Sequence, residues 1–467
     1  MQVANTNNKC FIVWSNEIEG RLDCDFYNPE FTKLDKKIKS ISKKSLGDFV
    51  VSMSGGATPD IKESENYYTD SKDGIPFLRV QNLKPEGLEL TDVKYINKAT
   101  HEGELKRSQV EEFNLLTKIT GVGRMAISSV APKGFKGNIN QHIVVIKTES
   151  EEISRTLAAF LNSNIGEKLA KRRSTGGTRP ALDYEALKSI PVIFKPEIVK
   201  IMQSAYNKKA EKEQKAESFF NSIDDYILGE LEIKMPEAED KECFSINAQE
   251  VNNGRLDSYY YQPKFKEAEK SLKKANCKVE PLKNYITKIH YGASLKNDYV
   301  DEGIPLLRIQ NLKPNRIILD DDVVMVSEER RKELGNAFLN EGDFLISRSG
   351  SVGIVSIVPK EAKGFSFGSF MIKFCLNDKI SKDFVSLWLN NKLTQLFIKR
   401  EKIGAIQGNI TIETIENLQI PTPPLPIQEK LAKEVRERLA QAEKMRLEAK
   451  NEIEEAKQEV EKVILGK

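Results

Sequence analysis

The chain has 467 residues, more than one ordinary hydrophobic core holds, so two or three domains are expected. A composition of 39% hydrophobic and 30% charged residues excludes a disordered chain and fits a well-solvated globular protein. The net charge of +3 is nearly balanced, so it neither requires nor excludes a nucleic-acid partner.

Membrane and metal functions find no support in the sequence. No apolar run approaches the roughly 20 residues of a membrane helix, and the first residues lack the pattern of a secretion signal. The five cysteines show no CxxC spacing, and three histidines are too few for a histidine-rich metal centre. We therefore expect a cytoplasmic protein with no metal site and no membrane partner.

The first elements in chain order are short strands followed by a helix. Apolar segments at 77–83 and 142–147 are rich in β-branched and aromatic residues and predict strands, and residues 153–173 predict a helix. In the first of these strands, Arg79 and Gln81 are expected on one face, with Leu78 and Val80 toward the core.

A long helix follows and begins after Pro196. The same order then repeats: "GIPFLRVQNLKP" at 74–85 and "GIPLLRIQNLKP" at 303–314 share ten of twelve residues. "GRLD" occurs at 20–23 and again at 254–257, and "LNSN" at 161–164 corresponds to "LNNK" at 389–392. Ordered markers at a nearly constant offset indicate a duplicated domain with its connector.

The sequence thus predicts an α+β fold of two tandem domains with twisted, mostly antiparallel sheets, separated by two long helices. Its boundaries are 1–195 and 242–421 for the domains, and 196–234 and 424–467 for the helices. Apolar residues step by three or four through most of the second helix, from Ile427 to Val463, and leave a narrow stripe that needs another helix. An antiparallel coiled coil is the simplest arrangement; the alternative is that each helix packs on its own domain.

Catalytic motifs are not evident. The sequence has no GxxxxGK[ST] phosphate loop, no dinucleotide or methyl-donor glycine turn and no GxSxG elbow. A nuclease pattern from Asp60 and Lys106 is loosely spaced, and the second copy lacks it. The sequence is typical of a non-catalytic protein that binds no cofactor itself.

Recognition chemistry is present in both copies. Arginine and lysine suit phosphates and guanine edges, and asparagine and glutamine can bond adenine. The candidate cations and amides of the repeated peptides and of two basic segments are Arg79, Gln81, Asn82, Lys84, Lys171, Arg172, Arg173, Arg308, Gln310, Asn311, Lys313, Lys399 and Arg400. Two alternatives stay open: the amides satisfy backbone groups in a turn, and the basic segments are merely solvated surface.

On these residues the chain resembles the DNA-specificity subunit of type I restriction–modification systems. The resemblance rests on the two "QNLKP" segments, the two "GRLD" segments and the "PIQ" at 426–428, and it covers essentially the whole chain in the order of that family. It implies a non-catalytic reader of double-stranded DNA for host defence, with each domain binding half of a bipartite target and the helices spacing the halves. It also implies two methyltransferase subunits and restriction/translocase subunits as partners, which carry S-adenosylmethionine, ATP and Mg.

The resemblance also separates two groups of site residues. Residues shared by domains that read different half-sites are expected to be scaffold or phosphate contacts. Base readers are expected where the copies diverge, namely Arg124, Asn138, Asn140, Gln141, His142, Thr178, Arg179, Arg348, Ser349, Ser351, Ser369, Gln407 and Asn409. Two other functions remain open, a paired-domain scaffold that binds protein through its helices and an enzyme with an unrecognised motif.

Overall fold

The structure is a computed structural model that describes residues 11–59, 67–69, 74–237, 240–251, 256–295, 299–319, 323–402 and 408–466. It divides into two compact units. Unit 1 consists of Met1–Gln214 with Arg446–Lys467, and unit 2 of Lys215–Met445. None of the described helices is both long enough and apolar enough to cross a membrane.

Unit 1 contains ten described strands and parts of two long helices. The strands are β1 (Ser52–Gly55), β2 (Ile75–Leu78), β3 (Leu83–Lys84), β4 (Gly87–Leu88), β5 (Lys94–Ile96), β6 (Gln109–Val110), β7 (Leu115–Lys118), β8 (Ser128–Val130), β9 (Gly137–Ile139) and β10 (Ile143–Lys147). The helices are α1 (Pro29–Ile41), α2 (Lys98–Glu102), α3 (Glu151–Asn162), α4 (Asn164–Arg173), α5 (Tyr184–Lys188) and α6 (Glu197–Glu230), of which the residues up to Gln214 belong to unit 1.

Two four-stranded sheets form the centre of unit 1. The first has the order β1-β10-β7-β8 and is antiparallel throughout. The second has the order β5-β2-β9-β6, and only its β2–β9 pair is parallel. Helices α3 and α4 pack against the first sheet, where they share one apolar cluster with strands β7 and β10. The α+β fold with mostly antiparallel sheets is confirmed.

Unit 2 repeats this order of elements. Its strands are β11 (Val279–Pro281), β12 (Ile286–Tyr291), β13 (Ile304–Leu307), β14 (Leu312–Lys313), β15 (Arg316–Ile317), β16 (Val324–Val326), β17 (Phe344–Ser347), β18 (Val355–Ile357), β19 (Ser366–Phe367), β20 (Met371–Leu376) and β21 (Gln419–Pro421). Its helices are α7 (Pro263–Leu272), α8 (Arg331–Leu334), α9 (Lys382–Asn390), α10 (Lys392–Glu401), α11 (Ile412–Glu416) and the part of α12 (Leu425–Leu465) up to Met445, together with the end of α6.

The main sheet of unit 2 has the order β12-β20-β17-β18 and is antiparallel, like the first sheet of unit 1. A smaller sheet, β16-β13-β19, contains the parallel pair β13–β19, as the pair β2–β9 does in unit 1. Matching topology in both units supports the duplication that the sequence predicted.

Two asparagines attach the helices to these sheets in the same way. The Asn162 amide at the end of α3 donates to the carbonyl of Ser128 and accepts from its N–H. Asn390 at the end of α9 makes the same pair of bonds with Val355. The next residue, Ser163 or Asn391, caps the following helix. The single helix predicted over 153–173 is therefore wrong, because the cap at Ser163 divides it into two.

The two long helices pair in an antiparallel manner within each unit. In unit 1, Lys208 and Lys212 of α6 bind Glu452 of α12, and Lys212 also binds Glu448. Residue numbers rise along α6 while those of the contacted residues fall along α12, so the two helices are antiparallel. Ala205 and Val460 are buried in the apolar cluster of this unit.

Unit 2 has the same pairing. Lys430 of α12 binds Glu230 of α6 at 3.1 Å, and Arg438 lies 4.3 Å from the ring centroid of Tyr226. Leu431 and Val435 of the predicted stripe are fully buried, but Ile427 is 40% exposed. The antiparallel helix pair is confirmed, while the assignment of Ile427 to the stripe is wrong because its side chain is exposed.

Candidate nucleic-acid interface

Several residues predicted to read bases lie at one edge of the first sheet of unit 1, next to the ends of three strands. Because the sheet is antiparallel, β1 and β7 end where β10 begins. Thr58, after β1, hydrogen-bonds the exposed Gln141. Thr120, after β7, bonds His142 through Oγ1 and Nδ1 at 2.5 Å. We call this the loop edge of unit 1, formed by residues 56–58, 119–123, 140–142 and 174–181.

The longest segment of this edge is 174–181, here called the reader loop. The N–H groups of Thr175 and Ala181 each donate to the other's carbonyl at 2.8 Å, so the loop is closed at its base. Gly121 donates to the carbonyl of Pro180 at 3.1 Å and joins the loop to the end of β7. Thr178 and Arg179 are exposed at the tip, and within the described part of the chain Arg179 makes no ion pair.

A glycine allows the loop edge to close. A Cβ atom on Gly56 would lie 2.1 Å from the Ile139 carbonyl oxygen and 2.2 Å from that of Asn140. Gly292 has the same role in unit 2, where a Cβ would lie 2.2 Å from the carbonyl oxygen of Gly368. Close backbone approach thus fixes the turn that carries Gln141 and His142, and any larger residue would displace it.

Unit 2 has an equivalent loop edge, where strands β12 and β17 end and strand β20 begins. Ser349 forms a bridge with Asn409, and their side chains are hydrogen-bonded. The Arg348 guanidinium lies 4.8 Å from the ring centroid of Tyr291, and the backbone N–H of Arg348 donates to the carbonyl of Phe370. The structure therefore brings four of the predicted readers of this copy to one place; the fourth, Ser369, donates its N–H to Ala293.

Other predicted readers do not lie on an accessible surface. Asn138 is fully buried, and its amide bonds His101, the Leu105 carbonyl and Ser108. Arg124 donates to the carbonyls of Leu161 and Ser163 at the end of α3 and pairs with Glu167 at 3.3 Å. The geometry contradicts base reading by Asn138 and Arg124, because Asn138 is buried and both terminal nitrogens of Arg124 bind groups within the protein.

Three further candidates have other placements. Asn140 is 8% exposed, and its side-chain oxygen accepts from the N–H of His142, so it shapes the turn. Ser351 is exposed, and its carbonyl accepts from Ser347. Gln407 lies outside the described residues.

The basic segment of unit 1 is mostly internal, contrary to the expectation of phosphate contact. Residues 171–173 form the last turn of α4, and the Arg172 and Arg173 side chains are each only 5% exposed. Both bind Asp35 of α1, Arg173 at 2.5 Å and Arg172 at 3.4 Å. Burial opposes ionisation of Asp35, but the charges of Arg173 and Lys39 outweigh it and lower the pKa of Asp35.

The equivalent pair in unit 2 has the same role. Arg400 of α10 binds Glu269 of α7 at 2.5 Å, and its guanidinium lies 5.0 Å from the centroid of Tyr260. Arg172 likewise lies 4.0 Å from the centroid of Phe26. The prediction that Arg172, Arg173 and Arg400 contact phosphates is therefore wrong. The neighbouring Lys171 and Lys399 are exposed, so a phosphate role for them stays a prediction.

The repeated "QNLKP" peptide forms a turn in both copies. Strand β2 ends at Leu78, and Val80–Asn82 is a 3-10 helix, so the predicted continuous strand with Arg79 and Gln81 on one face is wrong. The buried Asn82 accepts from the N–H of Arg79 and donates to the Glu89 carbonyl. Asn311 bonds Arg308 and Ile318 in the same way. Backbone satisfaction by the asparagine, one of the two alternatives, is thus its observed role.

The cations of the repeated peptide are partly engaged. Asp92 binds Arg79 at 3.3 Å and Gln81 at 2.6 Å. Arg308 lies 5.6 Å from the centroid of Tyr299. Lys84, Gln310 and Lys313 are exposed. Whether these exposed side chains contact phosphates stays a prediction.

Two serines that the sequence analysis missed hold this turn against the main sheet. Ser129 Oγ donates to the carbonyl of Lys84 at 2.7 Å, and Ser356 Oγ donates to that of Lys313. The signal was present in the repeat, since each serine stands three residues before a proline, Pro132 or Pro359. The shared peptide is therefore a brace between the two sheets of each unit.

A metal centre is not indicated in the part of the chain that the structure describes, where no group of three His, Cys, Asp or Glu side chains could hold an ion. The loop edges offer instead amide, hydroxyl, imidazole and guanidinium groups. These are the groups that hydrogen-bond base edges and phosphates.

Comparison with known proteins assigns this class of domain. Residues 286–455 match the family described as "Type I restriction modification DNA specificity domain". This segment belongs to that family, and the resemblance drawn from the sequence is confirmed. The match begins at β12 and includes the main sheet of unit 2 with its loop edge. Residues 286–455 are therefore a DNA-specificity domain of the type I restriction–modification class.

Three solved structures of type I restriction–modification proteins are similar to this chain at TM-scores below 0.5. A structure from work on complex assembly and conformational transition of the type I R-M system has a TM-score of 0.49 and 13% identity. The similarity covers 90% of this chain and 95% of that chain. The S subunit from M. genitalium has a TM-score of 0.38 and 11% identity, over 90% of this chain and 94% of that chain. The HsdS subunit from Thermoanaerobacter tengcongensis has a TM-score of 0.35 and 12% identity, over 90% of this chain and 96% of that chain. The assignment rests on the family match alone, and among curated proteins no sequence matches the chain.

Proposed function

We propose that each unit of this chain reads one half of a bipartite, asymmetric DNA target through its loop edge. The observation that carries the proposal is the family match over residues 286–455. The duplicated topology supports it, because two copies of one module with different loop residues can hold two different half-sites. Thr178 and Arg179 differ in kind from Asn409, which occupies the corresponding loop in unit 2.

The chemistry on DNA belongs, in this proposal, to other subunits. The chain itself is non-catalytic and binds no cofactor. Two methyltransferase subunits dock on it and carry S-adenosylmethionine, and restriction/translocase subunits with ATP and Mg complete the complex. It acts in the cytoplasm, where the target DNA lies. The exposed faces of α6 and α12 and the surfaces of the units are the places where these subunits dock.

Mapping of methylated adenine across the genome tests this function. Strains with and without the gene are compared, and a plasmid copy restores the deleted gene as the control. We expect one bipartite methylated motif to vanish in the deletion strain and to return with the plasmid. An unchanged set of methylated motifs would refute the function and favour a scaffold that binds only protein.

A further inference from the structure

Arg21 of the first "GRLD" motif reaches the end of helix α4, 152 residues further along the chain. Its Nη1 and Nη2 atoms donate to the carbonyls of Arg173 at 3.0 Å and Ser174 at 2.8 Å. Its Nε pairs with Asp23 at 2.7 Å. All three nitrogens of the guanidinium are thus used inside unit 1, and only 23% of the side chain is exposed.

These two carbonyls stand where the chain leaves the helix and enters the reader loop. The last carbonyls of a helix lack partners within the helix and form its negative end, so a cation that binds them is stabilising. The direction of the carbonyl of Ser174 sets the direction in which the loop starts. The opposite end of the loop is joined to the segment after β7, because Gly121 donates to the carbonyl of Pro180 and Leu182 donates to that of Ile119.

The guanidinium itself is held in a fixed orientation. It lies 4.6 Å from the ring centroid of Phe26, against which Arg172 also packs. Only the planar fork of arginine can bind two neighbouring carbonyls and Asp23 at once. A lysine keeps the charge but offers a single flexible point of contact.

We propose that Arg21 is a positioning residue for DNA recognition, which fixes the start of the reader loop so that Arg179 is presented to its half-site. The inference rests on the proposed function. A loop that is already ordered loses less conformational entropy on binding, and a loop that swings freely loses both affinity and discrimination between base pairs.

The test compares Arg21→Lys with the wild-type chain and with Arg155→Lys. Arg155 is a matched control because it also uses Nε to bind a carboxylate, Glu151 at 2.7 Å, but on the exposed side of α3. The first measurement is hydrogen exchange of the amides of the reader loop and of strand β10. The second is binding of the full chain, with its methyltransferase partners, to duplexes in which one half-site or the other is altered.

We expect Arg21→Lys to speed exchange in the reader loop, to leave β10 protected, and to reduce discrimination at one half-site about tenfold. Discrimination at the other half-site, and affinity for unrelated DNA, stay at the wild-type level. Arg155→Lys changes neither measurement.

Three results would overturn the positioning role while leaving the proposed function intact. The first is unchanged discrimination by Arg21→Lys, and the second is an equal loss at both half-sites. The third is faster exchange throughout unit 1, which would make Arg21 a general folding residue. If the wild-type complex does not discriminate at either half-site, the proposed function itself fails, and this inference fails with it.

Discussion

Replacing Asp35 with asparagine would remove the carboxylate that two buried arginines share. Arg172 and Arg173 are each 5% exposed, and Asp35 binds both. The amide has nearly the shape of the carboxylate, so the change removes charge while the volume of the side chain stays almost constant. The consequence therefore reports on electrostatics and not on packing.

The magnitude follows from the burial of these groups. Removing one partner of a buried ion pair costs about 3–5 kcal/mol of stability, because the other charge remains buried. We expect the lower part of this range, since Arg172 keeps a contact with the half-exposed Glu19 at 3.5 Å and both arginines keep hydrogen bonds to carbonyls. The exposed pair between Glu151 and Arg155 is the matched control, where a surface pair contributes only about 0.2–1 kcal/mol.

Native-state hydrogen exchange is the suitable assay, because a protein of two units need not unfold in one step. Amides of α1 and α4 in Asp35→Asn should lose about 3 kcal/mol of protection, while strands of unit 2 serve as an internal reference. Glu151→Gln should lose little. Equal protection in Asp35→Asn and the wild type would refute the reasoning that Arg172 and Arg173 are internal, charge-paired residues.

The same group gives a pH dependence with a definite sign. Because the folded pKa of Asp35 is lowered, its contribution to stability is present above the ordinary aspartate pKa of about 3.9 and is lost as the pH falls through the lower, folded value. Acid unfolding of unit 1 should therefore be less pH-dependent in Asp35→Asn than in the wild type. An identical acid transition in both would contradict the shift.

The remaining predictions concern the loop edge and the modular reading of DNA. Gly56→Ala should weaken recognition at one half-site, since the added Cβ meets two carbonyl oxygens, while Gly229→Ala, which meets nothing within 4 Å, should not; binding to altered half-sites distinguishes them. Lys171→Ala should lower affinity for all DNA sequences and reduce the salt dependence of binding by about one ion, whereas a change in sequence preference alone would argue against a phosphate contact. Replacing residues 243–420 with those of a relative should change one half of the methylated motif, and a change in both halves would contradict independent reading.

The order of domains and helices and the resemblance to the specificity family could be predicted from the sequence. Duplication was visible because each copy kept the same residues at nearly the same spacing, and the antiparallel helix pair followed from an apolar stripe too narrow for a globular core. The sequence left scaffold and phosphate contact open as roles of the "QNLKP" peptide, and the buried Asn82 satisfies backbone groups of the turn. The conformation of the peptide was missed, since a side-chain bond from Asn82 to its own turn ends the strand that the apolar pattern predicted.

Which polar residues face outward could be seen only in the folded structure. Arg172 and Arg179 stand seven residues apart in one basic segment, and nothing in the sequence ranks one above the other. Arg172 is buried in an ion pair with Asp35, which lies far away in the chain. Arg179 is exposed on a loop that backbone hydrogen bonds close at its base. Charge can be read from a sequence, but exposure depends on partners brought together by folding, and recognition depends on exposure.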